Sequence, residues 1–262
     1  MSSPLLAVKG VSVAFAGVRA LDDVSMDVAE QEVVSIIGPN GAGKTTLFNV
    51  ICGFVRPTIG TVEFGGAVLR PRQPSQRARL GVARTLQGVN LWKGMTVIEN
   101  VMAGGQPGLR AGLLAALLGT PRSYREEVAL RQRAGAMLDR LGIADIAARL
   151  PGTLPYGVQK RVAIARALMG DPVLLLLDEP ASGLGADDID DMVRLIGELS
   201  ADMAVMLVEH HMDFVMSISE RIVVLNFGRV IASGVPDEIR ADPEVTAAYL
   251  GADVTTKGVG PG

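Results

Sequence analysis

The residues Gly38-Pro39-Asn40-Gly41-Ala42-Gly43-Lys44-Thr45 fit the pattern G-x-x-x-x-G-K-S/T, with Thr46 directly behind. They lie between an apolar run at 33–37 and a helix-compatible stretch, the context in which such a loop can hold phosphate. Glycines let successive backbone N–H groups turn inward around phosphate oxygens, and a helix N-terminus adds positive potential. Lys44 is then placed for the β- and γ-phosphates and the Thr45 hydroxyl for a magnesium ion. Downstream, Leu174, Leu175, Leu176 and Leu177 run into Asp178-Glu179. A covered strand thus delivers two carboxylates to its C-terminal end, the edge where α/β sheets place ligands. Asp178 suits a magnesium ion held through water, and Glu179 suits an attacking water. Phosphoryl transfer asks mainly for positioning and charge neutralisation, so two acids beside a metal are enough.

Between these sites runs Leu154-Pro155-Tyr156-Gly157-Val158-Gln159-Lys160-Arg161. It resembles the signature segment of ABC-type ATPases, which opens a helix whose N-terminus caps the γ-phosphate of an ATP held by the opposite subunit. Within Arg84-Thr85-Leu86-Gln87, Gln87 looks like the Q-loop glutamine that links the magnesium site to transmembrane partners. In Val208-Glu209-His210-His211, His210 looks like the switch histidine, while His211 falls to the next helix. Phe15 stands at the place of the aromatic residue that stacks on adenine, although an inward strand position would also explain it. The resemblance covers the chain to about residue 250. It implies ATP and Mg2+ as cofactors, Glu179, His210 and Gln87 in catalysis, and Thr45, Gln87 and Asp178 around the metal. Phe15 and residues 38–46 would bind nucleotide in the same subunit. Tyr156, Gly157 and Gln159 would reach the partner's nucleotide.

Several stretches are similar to the ATPase subunits of branched-chain amino-acid importers, among them Met95-Thr96-Val97-Ile98-Glu99-Asn100-Val101 and His210-His211-Met212-Asp213-Phe214. That likeness implies permease subunits in the membrane, a second ATPase subunit packed head to tail, and indirectly a solute-binding protein. The cytoplasmic face of the inner membrane is the expected location, reached through the permease. Alternatives are an ATPase of another transport system, a nucleic-acid- or ribosome-associated ABC ATPase, or a regulatory module that binds nucleotide without cleaving it. Two departures bear on mechanism. Pro155 replaces the usual signature serine and removes a hydroxyl and an N–H, and Gly185 stands where an aspartate is common. Unequal ATP sites in the assembled machine are expected from them.

Alternating apolar residues at Val11, Val13 and Phe15, at Val24, Met26 and Val28, and at Val62 and Phe64 indicate a half-exposed antiparallel sheet. Continuous apolar runs at 33–37, 173–177 and 204–208 suit strands covered on both faces of a parallel sheet. Helices are expected at 45–52, 124–141, 158–169 and 188–199, the second with a capping box at Ser123 and Glu126 and a stop at Gly142. A hairpin is expected at 222–231, a helix at 237–250, and a loose tail at 251–262. The fold class is therefore α/β, a P-loop NTPase core with a mostly parallel sheet, an N-terminal antiparallel β subdomain and an inserted α-helical lobe at about 88–160. Residues 1–250 form one nucleotide-binding domain.

With 25 basic and 28 acidic residues among 262, the net charge of −3 provides no cationic field to gather nucleic acid. Arg70, Arg72, Arg77, Arg79 and Arg84 read as a solvated face. The single cysteine, Cys52, sits among apolar residues as a buried, inert thiol. No apolar stretch reaches the roughly 18 to 20 residues that span a bilayer, and residues 1–9 lack the features of an export signal.

Overall fold

The computed structural model describes residues 3–70, 74–85, 88–108 and 121–256. Alternating apolar residues build a hairpin of β1 (Leu6–Phe15) and β2 (Val18–Val28), and a continuous apolar run builds β3 (Val33–Ile37), buried throughout. After β3 come α1 (Lys44–Ile51), β4 (Ile59–Phe64) and β5 (Ala67–Val68). Strands β2, β1, β4 and β5 lie in that order in one antiparallel sheet, as the period of two requires. Helix α2 (Pro74–Arg79) leads to β6 (Val82–Arg84), and the chain then leaves the core for the lobe of α3 (Val97–Met102) and α4 (Pro121–Arg140). It returns along α5 (Tyr156–Leu168) into β7 (Leu174–Asp178), α6 (Ala186–Ser200), β8 (Ala204–Val208) and α7 (Met212–Ile218). The hairpin β9 (Arg221–Asn226) and β10 (Arg229–Gly234) is followed by α8 (Pro236–Ala241) and α9 (Pro243–Thr256).

The second sheet has the order β10-β9-β3-β8-β7-β6, parallel from β9 to β6 and closed by antiparallel β10. Its central strands are apolar on both faces because each face feeds a separate core. Leu174, Leu176, Ala204, Met206 and Val208 pack with β1, β2 and α1, whereas Leu175, Leu177, Val205 and Leu207 pack with α5, α6 and the lobe. Burial of this kind stabilises by about 1.5–3 kcal/mol per large side chain, and the polar Ser35 within β3 is buried with its hydroxyl 2.5 Å from that of Ser219.

Asn100, fully buried, holds the entry to the lobe. Its Nδ2 donates to the carbonyls of Trp92, Met95 and Thr96, and its Oδ1 accepts from the Trp92 N–H. A capping arrangement is found here, where the Thr96 N–H and hydroxyl donate to Glu99 Oε2 at 2.7 and 2.6 Å. The expected box at Ser123 is displaced, because α4 begins at Pro121 and places Ser123 inside the helix. At the other end of α4, Gly142 has φ +67° and the Ile143 N–H reaches back to the Leu138 carbonyl at 2.9 Å, the left-handed stop anticipated there.

Three other expectations need correction. The helix expected at 237–250 is two helices, broken at Asp242, which the following Pro243 pushes out of the helical region (ψ 119°). Helix α9 also runs on to Thr256, into the stretch expected to be loose, while residues 257–262 lie outside those described. The arginines do not form one solvated face. Arg77 is buried and donates from Nε to the Ile51 carbonyl at 3.3 Å and from its guanidinium to the Arg70 carbonyl, Arg84 is bound in the interior, and Arg72 is outside the described residues. Period-based reading misses this because a short helix shows too few turns to reveal a buried face. Cys52 is buried as expected, and burial pushes its thiol up to about 11. Arg77→Ala is expected to cost about 1–3 kcal/mol by orphaning buried carbonyls, read as a shift of the urea midpoint. Arg79→Ala, on the exposed side of the same helix, is expected to stay within about 0.5 kcal/mol.

Candidate active site

Three neighbouring parallel strands place their C-terminal ends side by side, since Ile36 of β3 pairs with Val208 of β8 and Val208 pairs with Asp178 of β7. The glycine loop leaves the first strand, Glu209-His210 the second and Glu179 the third. The loop takes its shape from glycine. Gly38, Gly41 and Gly43 have φ of +147°, +82° and +103°, a region closed to most side chains. Space is as decisive as torsion: a Cβ on Gly38 would lie 2.1 Å from the Leu225 carbonyl oxygen, and one on Gly43 would lie 2.6 Å from that of Ala20. At Gly41 nothing approaches within 4 Å, so the cradle is open on that side.

Gly43 caps α1 with no side-chain partner and the first turn carries no acid, which leaves the helix's first N–H groups and their positive potential for an anion. Lys44 Nζ donates to the carbonyls of Gly38 and Pro39 at 2.6 and 3.0 Å. Burial lowers its ammonium below the ordinary lysine range, and the Glu179 carboxylate opposes the shift. A cation surrounded by carbonyl dipoles and facing an open cradle of N–H donors suits a polyphosphate. Thr45 is exposed and Thr46 half-buried at the same helix start, and Pro39, Asn40 and Ala42 complete the loop, Ala42 closing it with an N–H to the Pro39 carbonyl at 3.1 Å.

Asp178 is held by an interior cation that sequence reading assigns to the surface. Arg84 donates to Asp178 Oδ2 at 2.7 Å and to Asn49 Oδ1 at 2.6 Å, and its guanidinium carbon lies 5.5 Å from the centroid of the Phe48 ring. Side-chain exposures of 11% and 6% make this a screened-off ion pair. The Asp178 N–H meets the Thr85 hydroxyl at 3.3 Å. Glu179 follows with φ +51°, a left-handed conformation that costs a non-glycine residue about 1–2 kcal/mol. Gln87, expected at the metal, lies outside the described residues.

On the middle strand, Glu209 is fully buried. Its Oε2 accepts from the N–H groups of His210 and His211 at 2.6 and 3.1 Å and contacts the His211 Nδ1 at 3.1 Å, while Oε1 accepts from the Ala181 N–H at 2.9 Å. Burial pushes this carboxyl up, but the hydrogen bonds outweigh it and leave it below the ordinary glutamate range. His210 therefore presents a half-exposed ring on a backbone fixed from beneath, and His211 caps α7. Neither Glu209 nor Arg84 was legible as a site residue; the only signal for either is a charge set directly against an apolar strand.

The signature segment is brought to the same edge by α5. Pro155 occupies its N-cap with φ −54°. Gln159 Nε2 donates to the Leu154 carbonyl at 2.9 Å, which spends one of its two N–H groups at the helix start. A Cβ on Gly157 would lie 2.7 Å from the Asp188 carboxylate, so a larger residue there would displace that exposed side chain at the start of α6. Tyr156 is exposed, with Lys160 Nζ 5.3 Å from its ring centroid. Gly185 caps α6 without a side chain, leaving Asp187 and Asp188 to complement its first turn. Phe15 is half-exposed at the end of β1, so its ring is free to meet a planar ligand and is not an inward strand residue.

A family model described as ABC transporter matches residues 21–182, and one described as branched-chain amino acid ATP-binding cassette transporter matches residues 229–255. Over 253 residues the chain is 45% identical to the high-affinity branched-chain amino acid transport ATP-binding protein LivG of Salmonella typhimurium, covering 96% of this chain and 99% of that one. It is 44% identical, with the same coverage, to the corresponding protein BraF of Pseudomonas aeruginosa. A solved ATP-binding cassette of an ABC transporter in its ADP conformation is 31% identical and has a TM-score of 0.83 over 95% of this chain and all of the other.

The Arg84–Asp178 pair makes a testable claim. Arg84→Ala should destabilise the fold by about 3 kcal/mol, because a buried carboxylate loses its counter-charge. Adding Asp178→Asn should recover part of that loss in the same urea titration; equal losses in the single and double variants would sink the pairing.

Proposed function

The chain belongs to the ABC transporter family of ATP-binding subunits, and from that premise we propose that it drives an importer of branched-chain or related amino acids. The observation that carries this reading is the near-complete match to branched-chain amino-acid transport ATPases, joined by a second matched segment at residues 229–255. Among the described residues no helix is long and apolar enough to cross a membrane, so contact with the bilayer runs through permease subunits. A cleft of about 680 Å³ between α2–β6 and the helical lobe, lined by Phe54, Arg79, Arg133 and Arg166 among others, offers them a docking surface. It adjoins Arg84, which grips Asp178. The placement at the cytoplasmic face of the inner membrane, a second ATPase subunit and a solute-binding protein follow from the same reading.

In the proposed mechanism the loop N–H groups of residues 38–43 and the start of α1 bind the phosphates, and Lys44 exchanges its two carbonyl partners for phosphate oxygens. Thr45, Asp178 and Gln87 would hold Mg2+, which supplies charge neutralisation at the phosphates when bound. The donor set fits a hard, oxygen-seeking cation: a hydroxyl at a helix start, a carboxylate oriented by Arg84, and an amide oxygen. Glu179 accepts a proton from the attacking water, His210 steadies the γ-phosphate end, and Phe15 stacks on the base. Tyr156, Gly157 and Gln159 face the nucleotide of the partner cassette. With Pro155 lacking both an N–H and a hydroxyl and one Gln159 N–H engaged by Leu154, this chain contributes fewer donors in trans than a serine-containing signature, so the two sites of the assembly are unequal.

Lys44→Ala should weaken nucleotide binding by about 10- to 100-fold through loss of charged hydrogen bonds, measured by fluorescence titration. Glu179→Gln should leave binding intact and lower turnover by about a hundredfold or more; an unchanged turnover would remove Glu179 from the chemistry. In cells, loss of this chain should abolish accumulation of labelled leucine, isoleucine and valine. Unimpaired uptake of all three would refute the substrate class while leaving the ATPase intact.

A further inference from the structure

The loop carrying Glu179 is gripped from both sides by charges that the hydrolytic scheme above does not use. Lys160, one turn into α5 and 8% exposed, donates from Nζ to the Glu179 carbonyl at 2.7 Å and to the Pro180 carbonyl at 2.8 Å. On the same Pro180–Ala181 peptide, the Ala181 N–H donates to Glu209 Oε1 at 2.9 Å. The Glu179 N–H is bound to the Val208 carbonyl at 2.9 Å. Every polar backbone group that could let residues 179–181 relax is therefore engaged, around a residue whose φ of +51° is unfavourable. Only an over-determined surrounding keeps such a conformation, and it decides where the Glu179 carboxylate points.

We propose that Lys160 and Glu209 are positioning residues that clamp the backbone of residues 179–181 and hold Glu179 in its working conformation. The clamp also links two sites. Lys160 follows Tyr156 and Gly157 on the same helix, and Glu209 fixes the N–H groups of His210 and His211. A shift of the α5 N-terminus against the partner's nucleotide thus reaches Glu179 within one chain. One ammonium here serves two carbonyls, beside Ala163, Ile164, Leu177 and Met192. The ionisable groups facing it are Glu209 and Glu179 across the contact and Tyr156 on its own helix. Burial lowers its ammonium to about 8, with Glu209 and Glu179 opposing.

This inference rests on the hydrolytic role of Glu179, and the experiment separates the two. In the full-length chain with MgATP, Lys160→Met keeps the volume and removes the donors. It should lower kcat by about tenfold or more while the Kd of a fluorescent ATP analogue changes by no more than about twofold. Lys160→Arg restores charge and donors and should retain most of the turnover. Because the lysine loses its proton above about pH 8, wild-type kcat should fall on that side, and the fall should move to higher pH in Lys160→Arg. Wild-type turnover in Lys160→Met, or turnover and binding declining together, would overturn the clamp. Should Lys160→Met fail to fold, an unmoved alkaline fall in Lys160→Arg would overturn it equally. A wild-type chain with no turnover would instead strike at the hydrolytic reading.

Discussion

The parallel register of β3, β8 and β7 is the constraint on which the site depends. Ile36, Val208 and Asp178 stand abreast, so the phosphate loop, the histidine and the paired acids emerge from one edge although the sequence scatters them from residue 38 to residue 210. Hydrogen bonding between these strands has no freedom to slip, because a shift of one residue would exchange their two buried faces and turn each core inside out. The same packing that excludes water from Met206 and Leu207 thereby sets the separation of the groups at that edge.

Charges at that edge are arranged in layers. Glu179 and His210 are partly accessible at that edge, and an interior charge stands behind each of them and behind Asp178. Arg84 stands behind Asp178, Lys160 behind the Glu179 carbonyl, and Glu209 behind His210. Buried ions of this kind are costly unless bonded, and each of these is, although the Nε of Arg84 is left without a partner. Their contribution is to fix geometry more than to add stability.

Much of this was legible beforehand because it is written in local pattern. The covered strands 33–37 and 204–208 fall where the apolar runs lie, the antiparallel sheet follows the alternation at Val11, Val13, Val24 and Met26, and the glycine loop sits between strand and helix as its motif demands. What was not legible depends on distance in the chain. Arg84 meets Asp178 across 94 positions, and Gly157 lies against the Asp188 side chain, a contact between two helix starts. Local signals also compete: Ser123 and Glu126 have capping spacing, yet Pro121 is better suited to a first helical turn and starts α4 earlier. The hairpin at 221–234 was foreseen, but its service to the phosphate loop was not, since nothing in its own residues announces the Leu225 carbonyl beneath Gly38.

That last contact has a mechanical consequence. Gly43 is wedged against Ala20 and Leu21 of the antiparallel sheet, Gly228 of the β9–β10 turn abuts the same Ala20, and the Gly228 N–H is bonded to the Ala42 carbonyl. With no side chain to act as a cushion, main chain rests directly on main chain at three places. A tilt of the N-terminal sheet would therefore press on the glycine loop through main-chain contacts, with no side chain between them to absorb it.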